Sequence, residues 1–359
     1  MSATMNSMYV RCISQLQFSL LHRFSQKVII MKSIRRTLAA GIAAGALVAL
    51  TACGSGSPSG SSTTSSADGS SSETLVKIGM LPVGPNAVLL AGDKDGYFAK
   101  HGLKAEINTG LDGPAQIPGL TTGAINFSLC NPTSLLVAND KGLDIRLVSS
   151  FTNSLPTGQD HNAVVVKKDS GINSFKDLAG KTVSVNATAT AGDLLIKAAV
   201  KKDGGDPSAI KFNEIQFSDM EAQLENGNTE AVWFPEPFQS KAASNPKMKI
   251  LGYPMQYADP GVATQMICAD GKWVDANKET VTKFRDALTE LLDAAQKDDT
   301  IVRKELPDFL KMPKEVADTV GLDHMSTTID RPSLEVLNKL MVEYGMISKE
   351  VDLDAITVK

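Results

Sequence analysis

From residue 75 onward, apolar positions recur in two alternating rhythms. Short β-branched or alternating runs predict strands, and longer runs with an apolar residue every three or four positions predict helices. "LVKIGML", "KAEIN", "INFSLC" and "DIRLVSS" read as strands. The stretch 86–101, "PAQIPGLTTG" and "PTSLLVANDKG" between them read as helices. After residue 160, "NAVVVKK" is apolar and β-branched, and the rhythm begins again. "KTVSVN", "KFNEIQF" and "TEAVW" read as strands, with "AGDLLIKAAVKKDG", "DMEAQLENG" and "EPFQSKAAS" as helices. This alternation predicts an α/β fold with mainly parallel sheets covered on both faces. Beyond "VATQMICAD" helices take over. Residues 278–297 put Val281, Phe284, Leu288, Leu291 and Leu292 on one helical face, and 332–344 do the same with Leu334, Leu337, Leu340 and Met341. A late helical block needs a surface to cover, so the chain is expected to return to its first sheet. That gives two lobes, 75–165 plus 256–359 and 166–255, with crossings near 164–168 and 251–261.

The front of the chain is patterned differently. "MKSIRRTLAAGIAAGALVALTAC", from Met31, has a cationic start at Lys32, Arg35 and Arg36 and then thirteen uncharged, mostly apolar residues, 38–50. A bilayer span needs about twenty, so the run has the dimensions of a signal-peptide core over 31–52. It ends in Leu50-Thr51-Ala52-Cys53, which resembles a bacterial lipobox. The resemblance implies acylation of Cys53 and stable attachment to the outer face of the cell membrane. Residues 53–74 then form a lipidated cysteine and a Gly/Ser-rich linker that cannot bury a core. A coil of about 20 residues reaches roughly 25 Å. Residues 1–30 precede a signal that is already complete, so they are expected to be a gene-model extension with translation starting at Met31.

Composition narrows the function classes. Of the 359 residues 42% are hydrophobic and 21% charged, and the net charge is −4 with no basic stripe. Nucleic-acid binding through phosphate neutralisation is therefore not expected. The four histidines and four cysteines are scattered, none at zinc-ligand spacing, so neither a metal nor a cofactor is expected. "AGKT" at 179–182 fails as a phosphate-binding loop because Phe175 stands where that loop needs glycine and the turn leads into a strand.

Four segments, in order, carry a family resemblance: "GYFAKHGLKAEI" (96–107), "PAQIPGLTTGAINFSLC" (114–130), "FKDLAGKTVSV" (175–185) and "MEAQLENGNTEAVWFPEPF" (220–238). Over 75–252 the body resembles substrate-binding proteins of ABC importers, in the nitrate/sulfonate/taurine group that also includes binders of thiamine-pyrimidine precursors. The resemblance implies a two-lobed, periplasmic-binding-protein-like (type II) α/β fold with two crossing segments and a C-terminal helical block. It also implies a small-molecule solute, an ABC permease with its ATPase as partners, and a monomer.

In open α/β sheets ligands sit beyond the carboxyl ends of strands, where helix N-termini point N–H groups outward. Reading those loops selects Asn86 after the first strand, Asn131, Thr133 and Ser134 after "INFSLC", Thr188 and Thr190 before "AGDLL", and Trp233, Phe234 and Glu236 after the last strand of the second unit. The hydroxyls and N–H groups of "CNPTSLL" and "NATATAGDLL" could hold an anionic head between two positive helix ends; the plainer role for Ser and Thr there is capping. Side chains alternate along a strand, so one of Trp233 and Phe234 is expected to face the cleft. Downstream of Cys53 the arginines are Arg146, Arg285, Arg303 and Arg331, and none falls in these loops, which argues against bidentate arginine capture of an anion. Cys130 and Cys268 both fall in strands of the first lobe; an oxidising compartment permits a disulfide if their Cα atoms lie within about 7 Å, and buried free thiols are the expected state.

The leading expectation is an extracytoplasmic solute-binding component of an ABC importer, not an enzyme, that grips a sulfonate-, taurine- or nitrate-like or a pyrimidine-like solute between its lobes. The alternative is an enzyme on the same fold, of the pyrimidine- or menaquinone-pathway kind.

Overall fold

The computed structural model describes residues 73–111 and 113–359. The expectations for the extension, the signal peptide and the lipidation of Cys53 lie outside the described residues.

Among the described residues eleven strands form two mixed sheets. The first sheet uses β1 (Thr74–Gly79), β2 (Leu103–Asn108), β3 (Phe127–Cys130), β4 (Ile145–Asn153), β10 (Ala263–Asp270) and β11 (His324–Met325). The second uses β5 (Asn162–Lys167), β6 (Thr182–Val185), β7 (Lys211–Glu214), β8 (Ala231–Pro235) and β9 (Met248–Gly252). Their orders are β11-β4-β10-β3-β1-β2 and β7-β6-β8-β5-β9. Both follow one plan: the second, first and third strands of a unit lie side by side, and the strand that enters after a crossing is inserted beyond the third. That inserted strand, β10 or β5, runs antiparallel to its neighbours. The sheets are therefore mixed, not mainly parallel, because each lobe borrows a strand that arrives from the opposite end.

The crossings set the lobe boundaries. β5 belongs wholly to the second sheet, since Asn162 to Val166 pair with Pro235 to Ala231 of β8. The first crossing is therefore the stretch 154–161, earlier than the expected 164–168. The return runs through 253–262, between β9 and β10. The stretch 86–101 is two helices, Ala87–Lys94 and Tyr97–Lys100, because Gly96 between them has φ 79°.

The helix Lys278–Lys297 covers the first sheet: Phe284 stacks on Phe127 with centroids 3.9 Å apart and on Phe98 at 5.8 Å. Its buried stripe of Val281, Phe284, Leu288, Leu291 and Leu292 is the one the sequence periodicity marks. The helix Arg331–Glu343 packs against the helix Pro132–Asp140 of the first lobe and reaches the helix Ala191–Lys202 of the second. Leu334, Leu337 and Met341 accordingly join one apolar cluster with Leu194, Leu195 and Ile196.

Cys130 and Cys268 form a disulfide, with Cα atoms 6.0 Å apart. This corrects the expectation of free thiols. β10 lies directly beside β3, Met266 opposite Cys130, so Cys268 is one diagonal step away.

Candidate functional site

A cleft opens between the two sheets at the carboxyl ends of β1, β3, β6 and β8, with about 760 Å³ between atoms, its open mouth included. The first lobe contributes Leu81, Val83, Pro85, Asn131 and Asp323 among others; the second contributes Asn186, Thr190, Phe217, Trp233 and Glu236. Thr264 and Gln265 open β10, and Asn162 opens β5. They reach the cleft because an antiparallel strand brings its first residues to the edge where its parallel neighbours end. Reading only the ends of strands misses them. Met255 and Phe217 were missed because they come from helices, and Asp323 because it precedes a strand of two residues.

Of the nine residues selected from sequence, Asn131, Thr190, Trp233 and Glu236 line the cleft. Asn131 caps the helix Pro132–Asp140, its Oδ1 accepting from Ser134 N at 2.7 Å and from Thr133 Oγ1 at 2.6 Å. Thr133 is fully buried behind it and does not reach the cleft; Ser134 faces a separate surface hollow with Thr188. Thr188 is exposed and donates its N–H and hydroxyl to Glu214, whose carboxyl the hydroxyl bond chiefly holds below its usual range. Asn86 is fully buried, its Nδ2 donating to Leu81 O at 2.9 Å, and it supports the loop from behind. Phe234 points to the opposite face of β8 from Trp233 and packs on Phe238 at 6.0 Å. These five do not line the cleft; four of the five groups take part in capping, loop support or core packing.

Thr190 is the N-cap of the helix Ala191–Lys202. Its hydroxyl donates to Ala187 O at 2.8 Å, and Asp193 turns back to accept from Thr190 N at 2.8 Å and Ala189 N at 3.2 Å. The protein's own carboxylate thus takes two of the N–H groups leading into the helix that was expected to receive an anion. Trp233 lies against the same helix, and Gly192 makes that approach possible: a Cβ there would come within 2.7 Å of the indole.

Glu236 opens the turn after β8, and its peptide bond to Pro237 is cis. Its carboxylate accepts from Ser240 N at 3.1 Å and Ser240 Oγ at 2.7 Å, yet burial still raises its proton affinity. Asp160 accepts from Leu155 N and His161 N, and burial raises it as well. Asp323 is raised well above the usual carboxylate range, first by burial and then by the charges of Asp160 and Glu236. Burial pulls His161 the other way, below its usual value. Atoms without a hydrogen-bond partner here are Asp160 Oδ2, Asp323 Oδ1, Gln265 Oε1, Trp233 Nε1 and His161 Nε2. Among the described residues no three of His, Cys, Asp and Glu come close enough to hold a metal ion.

Two similarly built lobes around a cleft define a periplasmic-binding-protein-like fold. It is similar to the alkanesulfonate-binding protein SsuA from Xanthomonas axonopodis pv. citri bound to MOPS, with TM-score 0.68 and 14% identity over 79% of this chain and 98% of that one. The chain belongs to the family described as NMT1/THI5 like, which it matches over residues 86–299. It is 25% identical over 159 residues to a putative binding protein of Brucella abortus, an alignment covering 42% of this chain and 45% of the relative. It is 28% identical over 156 residues to a formylaminopyrimidine-binding protein of Halalkalibacterium halodurans, covering 43% and 45%. The matched part spans about half the length of these curated relatives.

Proposed function

We propose that this chain is the extracytoplasmic solute-binding component of an ABC importer, without catalytic activity of its own. It captures a small solute between its lobes and delivers it to the permease and its ATPase. The observation that carries this reading is the cleft, lined from both lobes and bordered by buried polar atoms with no partner among the described residues. Such atoms are costly unless something outside the chain meets them. Of the residues lining the cleft, Asn131, Thr190, Trp233 and Glu236 are assigned to solute contact. The lobe division supports closure by hinge motion about the two crossings. Cys53, acylated, tethers the folded body as a monomer to the outer face of the membrane.

The test is thermal-shift screening of the full chain against small solutes, with each solute recovered and weighed by mass spectrometry. A binding component gains stability and returns its solute unchanged; consumption of a solute would sink this reading in favour of an enzyme. Separately, Cys53→Ala should move the protein from the detergent phase to the aqueous phase, and continued detergent partitioning would remove the anchor.

A further inference from the structure

The charged residues lining the cleft are Glu236 and Asp323, both acids, and Asp160 lies near enough for its charge to act on Asp323. Among the described residues no lysine or arginine lines it. Four backbone N–H groups at or near the starts of the helices Pro132–Asp140 and Ala191–Lys202 are already used. Glu214 takes Thr188 N, Asp193 takes Ala189 N and Thr190 N, and Asn131 Oδ1 takes Ser134 N. Two polar side chains bordering the cleft, each only 8% exposed, have an atom without a partner: Asp323 through Oδ1 and Trp233 through Nε1. Gln265 adds a further unpartnered acceptor, Oε1.

A buried carboxylate without a partner is costly unless an opposite charge or a hydrogen-bond donor meets it. Here the unmet groups are chiefly acceptors, so the missing partner is a donor. Among the described residues no set of three metal-ligating side chains converges. The second lobe also brings aromatic rings to the cleft. Trp233 and Phe217 sit with centroids 6.1 Å apart and planes tilted 58°. Aromatic faces attract a flat or alkylated cation and do nothing for a sulfonate. The indole N–H needs an acceptor, which a ring nitrogen or carbonyl of the same molecule would supply.

We propose that the cleft selects a small, flat organic cation whose charge is carried by amine or amidine N–H groups, and that it rejects sulfonate- and nitrate-like anions. This deepens the solute-binding reading above and rests on it. The N–H groups of the solute lie against Glu236 and Asp323, its ring lies against Trp233 and Phe217, and Trp233 Nε1 donates to an acceptor on the ring.

The experiment is calorimetric titration of the full chain with two isosteric sets: benzamidinium, benzamide and benzoate; benzylammonium, benzyl alcohol and benzenesulfonate. The expected result is that a cation binds at least about tenfold tighter than its neutral isostere, the anions not at all, and that Asp323→Asn and Glu236→Gln each weaken the cation by at least about tenfold. Two variants are used so that a folding failure in one, read by circular dichroism, leaves the other informative. Binding of benzenesulfonate or benzoate as tight as the cations would overturn the selectivity while leaving a solute-binding protein. Absence of binding by both cations, or cation binding indifferent to both variants, would overturn it equally.

Discussion

Asp323 is 8% exposed, has an oxygen without a partner, and feels the like charges of Asp160 and Glu236. Its neighbourhood also holds Tyr253, raised by burial and the same two acids, and His161, whose ring lies 2.3 Å from where a Cβ on Gly321 would stand. Because the folded pKa of Asp323 is raised, the folded protein keeps a proton that the unfolded chain has released. The stability this proton supports is full below the unfolded pKa of about 3.9 and is lost as pH rises through the folded value. His161 acts oppositely: its folded pKa is lowered, so its penalty appears as pH falls below about 6.5. Asp323→Asn removes only the first contribution. In the solute-free protein it should raise unfolding stability at pH 7.5 by about 1–3 kcal/mol, with the gain shrinking toward zero near pH 4. Urea unfolding at both pH values reads this directly. An equal gain at both would mean that the carboxyl is not titrating.

At the scale of elements, the legible part of the sequence was the part governed by local periodicity. The helix Lys278–Lys297 has its apolar stripe at every position the pattern names, and β1, β3, β6 and β8 stand where alternating or β-branched runs place them. What periodicity does not carry is direction and partnership. Nothing local in "NAVVVKK" says that β5 leaves the first lobe and pairs antiparallel to β8, so the first crossing fell too late. The site shows the same division. Asn131 and Thr190 were found because helix starts are readable, whereas Gln265 and Asn162 depend on β10 and β5 being inserted strands. The disulfide belongs here too, since adjacency of β3 and β10 decides it, not spacing along 138 residues. It ties the strand leading to Asn131 to the strand opened by Gln265. Closing so long a loop should stabilise by about 2–4 kcal/mol. Cys130→Ser combined with Cys268→Ser should lower the urea midpoint accordingly without changing the slope; an unchanged midpoint would show that the staple restrains nothing in the unfolded chain.

Across the whole molecule, the two lobes meet very differently at the back and at the mouth of the cleft. At the back, the helices Ala191–Lys202 and Arg331–Glu343 share a continuous apolar cluster, assisted by Tyr344 Oη donating to Lys197 O at 3.4 Å. The Lys201–Glu343 ion pair there is half exposed on both sides and adds little. At the mouth, Gly84 N donates to Glu236 O over 3.4 Å, a long bond worth little by itself. Motion should therefore pivot about the packed back and open the mouth, as a hinge. With so weak a latch, the solute-free lobes have small reason to stay together. The free energy of closure must come from a solute that touches both, and it can shift the equilibrium only by its differential affinity for the closed form. Small-angle scattering of the full chain should thus show a radius of gyration that falls on saturation with solute. At about 100 times its dissociation constant the solute should also add about 2.7 kcal/mol of stability. A solute-free protein already as compact as the saturated one would mean that the lobes form a fixed body, and that the cleft is a preformed slot with no closing step.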